Sequence, residues 1–224
     1  MTTYKGIKGL SIQTVAGDPS NLGAGDIWFD SVAKKIQGAK LADGSWASGG
    51  NLNTARRALR GCGTQTAGLV CAGATSAITE EYDGSSWTES GDLGTARYAG
   101  SHSGIQTASV YAGGFDDPGA CIANSEEYNG STWTEGNNLG TGRYFVAGLG
   151  TQTAAFATGG GPNSPRNAAN IVESYDGTSW TETTDFNTAK KRHGAAGTTT
   201  AALVFGGDSP GATATTETYD GSSW

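Results

Sequence analysis

The feature that most constrains this chain is a hexapeptide written five times. YDGSSW occupies residues 82–87 and 219–224, YNGSTW 128–133 and YDGTSW 175–180, and a weaker copy, LADGSW, lies at 41–46. The tryptophans that end these copies, Trp46, Trp87, Trp133, Trp180 and Trp224, are 41, 46, 47 and 44 residues apart. A period of about 40–50 residues marks a propeller or solenoid, in which each repeat buries its apolar face only against its neighbours.

The remainder of each period agrees. NLNTARRALRGCGTQTA (51–67), DLGTARYAGSHSGIQTA (92–108), NLGTGRYFVAGLGTQTA (138–154) and DFNTAKKRHGAAGTTTA (185–201) align without a gap. Each precedes a short apolar run (GLVCAG, SVYAGG, AFATGG, ALVFGG), a connection of variable length, and then Glu-x-Tyr at Glu80/Tyr82, Glu126/Tyr128, Glu173/Tyr175 and Glu217/Tyr219. Four units therefore span about 56–87, 97–133, 143–180 and 190–224. Each reads as four strands. Strand a follows the basic residue Arg56, Arg97, Arg143 or Lys190; b is the apolar run; c carries Glu-x-Tyr; d starts at the Trp. No 3.6-residue apolar stripe persists, and the dense Gly, Thr and Ser disfavour helices. The Asp-Gly or Asn-Gly between c and d predicts a type I′ hairpin turn, with positive φ at both central residues.

Composition narrows the function classes. The net charge of −7 argues against nucleic acid as a partner, since phosphate backbones call for a basic surface. No apolar run approaches the roughly 18 residues that span a bilayer, so no membrane insertion is expected. The first residues lack the apolar core of a signal peptide, which implies synthesis in a cytoplasm. Three cysteines without a C-x-x-C spacing suit neither a disulfide framework nor a zinc site.

The repeated residues carry structural expectations. Tyr and Trp should pack between neighbouring blades, and paired glycines should allow close backbone approach. The Glu and the basic residue recur together once per unit. They are expected to meet as a partly buried, hydrogen-bonded ion pair, because function rarely repeats identically in every unit.

This order of basic residue, strand, Gly-Gly, Glu-x-Tyr-Asp and Trp resembles the kelch repeat, a four-stranded propeller blade. The resemblance covers residues 46–224 and departs from the family at Gly73-Ala74, where Gly-Gly is usual, and at Lys190, where Arg is usual. It implies an all-β fold of kelch-type propeller blades, preceded by a small N-terminal β-hairpin segment over residues 1–45. A kelch ring usually has five to seven blades. Two readings stay open: Trp46–Asn51 completes the last blade and closes a ring of four, or the sequence is the front part of a longer array.

Residues 1–45 do not follow the repeat. GDIWFDSVAKKIQGAKLADGSW (25–46) reads as strand, turn, strand and hairpin. With YKGIKGLSIQTVAGDPSNLGA before it, the segment is similar to the leaders of kelch-bearing proteins of marine bacteriophages and to a β-element of phage tail-fibre proteins. That resemblance implies a non-enzymatic virion structural or attachment protein, made in the host cytoplasm without a signal peptide and resident in the virion. Residues 1–45 would dock to other virion proteins. The propeller would face outward, to a host-surface glycan or protein or to other subunits, in a homo-oligomer. The alternative is a soluble glycan- or protein-binding kelch module outside any virion.

For chemistry the sequence offers little. His102 and His193 fall close together in the alignment, on strand a of units two and four, where both would line a channel. Two histidines alone make a poor metal site, and neither a metal nor another cofactor is expected. Arg57, Arg60 and Arg192 sit irregularly on the inner strands and read as solvated rim residues. Binding is expected where the repeats differ, in the b–c connections at 74–79, 115–125, 161–172 and 208–216, all on one face of a propeller. Phe115, Asp116, Asp117, Asn163, Arg166 and Asp208 are the candidate contacts there. No full calcium-ligand spacing surrounds Asp116-Asp117, and no catalytic set stands out.

Overall fold

The computed structural model describes residues 13–16, 27–38, 46–74, 76–116, 119–162 and 167–224. Two compact units result, Met1–Ser48 and Gly49–Trp224. In the first, β1 (Gln13–Val15) runs parallel to β2 (Ile27–Asp30), which pairs antiparallel with β3 (Lys35–Gly38). Asp30 fixes the β2–β3 turn. Its Oδ1 accepts the amides of Val32 at 2.8 Å and Ala33 at 2.9 Å, the local bond that makes Asp a turn residue. Trp28 is buried in this unit, whereas Trp46 is fully exposed. The hairpin expected at 43–46 lies, apart from Trp46, outside the described residues.

The second unit is a set of β-propeller blades. Blade one comprises β4 (Arg60–Thr64), β5 (Ala67–Cys71), β6 (Thr79–Tyr82) and β7 (Trp87–Glu89). Blade two comprises β8 (Ser101–Ile105), β9 (Ala108–Ala112), β10 (Ser125–Tyr128) and β11 (Trp133–Glu135). Blade three comprises β12 (Ala147–Thr151), β13 (Ala154–Thr158), β14 (Val172–Tyr175) and β15 (Trp180–Glu182). Blade four contains β16 (Gly194–Thr198), β17 (Ala201–Phe205) and β18 (Thr216–Tyr219). Within each blade the strands pair antiparallel in chain order. Residues 46–51 form no strand, and the fourth sheet has three strands.

The innermost strands of successive blades pack on one another, β4 on β8, β8 on β12 and β12 on β16. A backbone hydrogen bond marks each step: Ala99 N to Ala58 O (3.0 Å), Val146 N to Ala99 O (3.3 Å) and Arg192 N to Phe145 O (3.2 Å). No such bond runs from Ala58 N to Arg192 O. The b strands supply the core. Val110, Ala112, Ala155 and Ala157 are buried between blades two and three, while Phe205 at the outer face of blade four is 43% exposed.

Ala58, Ala99, Phe145 and Arg192 share one alignment position, two residues after the basic residue, and all take positive φ of 54–57°. The left-handed region costs an L-residue about 1–2 kcal/mol, and none of the four is glycine. The kink turns the chain into strand a where the interblade bonds are made.

Two expectations are corrected. The c–d turn is not type I′. Its glycines, such as Gly84 (φ 97°), are left-handed, but Asp83, Asn129, Asp176 and Asp220 are not. The loop holds four residues, and the Asp or Asn side chain works as its clamp: Asp83 Oδ1 accepts the amides of Ser85 and Ser86, both at 2.8 Å, and Asp83 N donates to Ser86 O. An Asx-turn replaces the backbone requirement for a second positive φ. The departure from Gly-Gly lies at Ala72-Gly73 rather than Gly73-Ala74. Ala72 and Gly113 stand in register, donating to Ile78 O and Asn124 O. Gly73 needs to be glycine, since a Cβ there would lie 2.9 Å from Arg57 O.

Candidate functional site

The repeated polar residues are spent inside the frame. Arg97 reaches Glu126 at 3.0 Å, Arg143 reaches Glu173 at 2.7 Å and Lys190 reaches Glu217 at 3.3 Å; Arg56 pairs with Glu80 in the same way. The pairs are nearly or wholly buried rather than partly so. The second oxygen of each carboxylate accepts an amide from the segment entering the blade: Asn53 N (2.7 Å), Gly94 N (2.7 Å), Gly140 N (2.6 Å) and Asn187 N (2.6 Å). Each Glu thus fastens the incoming chain to strand c. These bonds hold the Glu80 and Glu217 carboxyls below the ordinary range against the opposing effect of burial. A buried carboxylate keeps its charge only when hydrogen bonds and an opposite charge replace water.

Tyr and Trp close the blades against one another. Within each c–d hairpin they face across the strands, with centroids 4.9 Å apart at Tyr82–Trp87 and Tyr128–Trp133, 4.8 Å at Tyr175–Trp180 and 5.2 Å at Tyr219–Trp224. Their polar tips reach the preceding blade. Trp133 Nε1 donates to Thr79 Oγ1 (2.9 Å) and Trp180 Nε1 to Ser125 Oγ (3.1 Å), while the Tyr128 and Tyr175 hydroxyls donate to Glu81 and Glu127. Trp87 Nε1 donates to Gly50 O at 3.2 Å.

The irregular residues gather at one end. Strand b ends where strand a begins, so the b–c connections and the left-handed kinks share a face. Bridges pin the first residue of three of the connections: Phe115 to Tyr98, Gly161 to Tyr144 and Asp208 to Lys191. Phe115 is half-buried, its ring 5.6 Å from Tyr98 and 5.1 Å from Tyr144. Asp116 accepts the amide of Ala120 at 2.7 Å, which shapes its own loop. Asp208 pairs with Arg192 at 2.7 Å, and the Arg192 guanidinium lies 4.1 Å from the Phe145 ring centroid. Asp117, Asn163 and Arg166 lie outside the described residues.

At the centre of this face is a cavity of about 360 Å³, lined by residues of all four blades, among them Arg60, His102, Phe145, Arg192 and His193. The two histidines do share it. His102 is wedged between thiols and a hydroxyl, with Nε2 3.1 Å from Ser109 Oγ and 3.4 Å from Cys62 Sγ. Burial brings its pKa down to about 4. His193 falls likewise to about 4, through burial and the charges of Lys190, Arg60 and Arg143. Both are neutral at pH 7. Burial also raises the Cys62 thiol to about 12, so it is not a nucleophile at neutral pH. Among the described residues no group of three or more His, Cys, Asp or Glu is placed to hold a metal ion.

Arg60 is the residue whose position sequence reasoning undervalued. Instead of standing on a solvated rim, it reaches across blades, donating from Nε to Gly100 O at 2.9 Å and from Nη2 to Val146 O at 3.4 Å. The signal was available: it is a cation on an inner strand with no acid in register, unlike the four basic residues that recur with a Glu. No family model and no curated protein matches this chain.

Proposed function

We propose that this chain is a kelch-type propeller protein of a bacteriophage virion, non-enzymatic, with residues 1–45 docking to the particle and the b–c face turned outward to a host-surface glycan, a protein or another subunit. The observation that carries the outward face is the division of labour among polar residues. Those that repeat are consumed in buried pairs within the frame. Those that vary collect on the one face built from connections and kinks. Rigid scaffolds with variable loops at one end are the usual form of recognition modules. The virion assignment rests on the resemblance of the N-terminal segment, since a propeller fold does not specify function.

Immunogold electron microscopy tests it, with an antibody against residues 46–224 and particles from the source culture. Gold at a fixed place on virions is the expected result and identifies the substructure. Clean virions with the antigen confined to soluble fractions would overturn the assignment. The soluble binding module would then be the reading to pursue, on glycan arrays.

A further inference from the structure

Successive blades meet through the same alignment positions, and those positions stand open on blade one and on blade four. On the side of a blade that faces its successor, strand b presents Leu69 and Cys71 in blade one, Val110 and Ala112 in blade two, and Phe156 and Thr158 in blade three, each at most 2% exposed. Val110 and Ala112 cluster with Ala155 and Ala157 of blade three, and Phe156 with Ala202 and Val204 of blade four. Blade four has Leu203 and Phe205 at these positions, the first partly exposed and the second 43% exposed. Strand c shows the same change: Thr79, Ser125 and Val172 open it fully buried, whereas Thr216 opens it exposed.

The side that faces a predecessor is filled in blades two to four and open in blade one. Tyr111, Ala157 and Val204 are buried at one position of strand b, where Val70 is partly exposed. Gln106 Nε2 donates to Gly68 O (3.2 Å) and Tyr82 O (2.9 Å) of the preceding blade, and Gln152 does the same one blade on. Their counterpart Gln65 lies exposed on its turn. Trp133 and Trp180 donate to the hydroxyls that open the preceding strand c, whereas Trp87 Nε1 donates to Gly50 O. No bond joins Ala58 N to Arg192 O, the two ends of the inner series of interblade bonds.

We propose that blade four of one copy of this chain packs on blade one of a second copy, repeating between molecules the interface that joins blades within one. Alignment with the internal interfaces assigns the contacts. Phe205 packs on Leu59 as Thr158 meets His193, and Leu203 packs on Gly68 and Val70 as Val110 meets Ala155 and Ala157. Gln65 donates to the carbonyls of Ala202 and Tyr219, Trp87 Nε1 to Thr216 Oγ1, and Ala58 N to Arg192 O. A second copy fits because the two faces are halves of one interface: the donors of these bonds stand on blade one, their acceptors on blade four, and both faces carry partly exposed apolar side chains. Terminal repeats that face solvent need a polar outer face, which Leu203 and Phe205 do not supply. The contact is heterologous, so the assembly closes as a ring or extends as a filament according to the rotation between copies. It engages the blade ends rather than the b–c face, and it holds or fails whatever that face binds and whether or not the chain belongs to a virion.

Sedimentation velocity of the full chain over a range of concentrations should show species heavier than one chain. Phe205→Asp charges the blade-four face at a side chain that already meets solvent, and should give a monomer with an unchanged circular dichroism spectrum. Leu59→Asp on the blade-one face should do the same. Mixing the two variants at high concentration should restore a dimer, because the first retains an intact blade-one face and the second an intact blade-four face. Gln65→Ala removes two hydrogen bonds to carbonyls and should weaken association about tenfold or more; it decides the matter if Leu59→Asp does not fold. Wild-type monomers at every concentration would overturn the proposal and assign the two faces to another occupant, such as a further repeat. Association that Phe205→Asp leaves intact would also overturn it, as would folded variants that stay monomeric when mixed.

Discussion

Blades three and four have the same backbone plan and different chemistry. In blade three the ion pair is Arg143–Glu173 at 2.7 Å, Trp180 donates to Ser125, Tyr175 donates to Glu127, and Gln152 Nε2 donates to Ser109 O (3.3 Å) and Tyr128 O (2.8 Å) of blade two. Blade four replaces each feature. Lys190 stands for the Arg, and Thr199 for the Gln. Val172 and Ser174 of blade three, where the earlier blades have Thr or Ser and Glu, offer Trp224 and Tyr219 no matching acceptor. Trp224 Nε1 is accordingly buried without a partner. In exchange the interface gains apolar contact: Phe156, Val172, Phe186, Val204 and Tyr219 form one buried cluster, with Phe156 and Tyr219 edge to face at 5.5 Å. The repeat geometry therefore does not depend on any one polar latch. A latch can be exchanged for packing while the backbone step is kept.

The largest test of that contrast is removal of the carboxylates. Glu173→Ala strands a fully buried guanidinium and an amide, and should cost about 3–5 kcal/mol. Glu217→Ala removes a longer pair whose Glu is 11% exposed and should cost clearly less. Urea denaturation measures both, and equal losses would break the comparison. Acid should next act unevenly. Blade three has no histidine, whereas His193 of blade four is held neutral with a pKa of about 4 against an ordinary 6.5. Between these values the unfolded chain binds a proton that the folded chain does not. The stability that His193 contributes by staying neutral is thus complete above about pH 6.5 and is lost as pH falls towards 4. Hydrogen exchange at pH 4.5 should show β16–β18 opening before β12–β15, and His193→Gln should narrow the gap.

Smaller effects follow at the latches. Gln152→Ala should cost about 1–2 kcal/mol for two lost bonds to carbonyls, while Thr199→Ala should leave the melting temperature almost unchanged. Tyr175→Phe should cost about 1 kcal/mol, and Tyr219→Phe close to nothing. One change is a gain: Ser174→Glu restores an acceptor for the Tyr219 hydroxyl and should add about 0.5–1 kcal/mol. A loss there would mean that the apolar interface has shifted too far for the polar latch to be rebuilt.

The blade plan was legible because it is periodic. Strand order, the Trp that opens strand d and the pairing of Glu with the basic residue all follow from residues that recur in register. What recurs less regularly was harder to read. Asp-Gly suggested a two-residue turn, but Asp83 and its counterparts clamp a four-residue loop with their side chains, an option that a dihedral preference does not express. The left-handed kinks were invisible, since Ala, Ala, Phe and Arg share no property that announces positive φ. The cavity was half visible. His102 and His193 were placed in it, yet the role of Arg60 depends on carbonyls of blades two and three that no local pattern brings near it.

Those kinks have an evolutionary consequence. At Ala58, Ala99, Phe145 and Arg192 the main chain makes the link between blades, and the side chain takes no part in it. Three of the four side chains line the axial cavity. Blades one, three and four therefore each contribute a seat whose occupant can change without disturbing the frame that holds it. A lineage could rewrite the mouth of the cavity one blade at a time, and selection for a new ligand would not have to be reconciled with selection for folding.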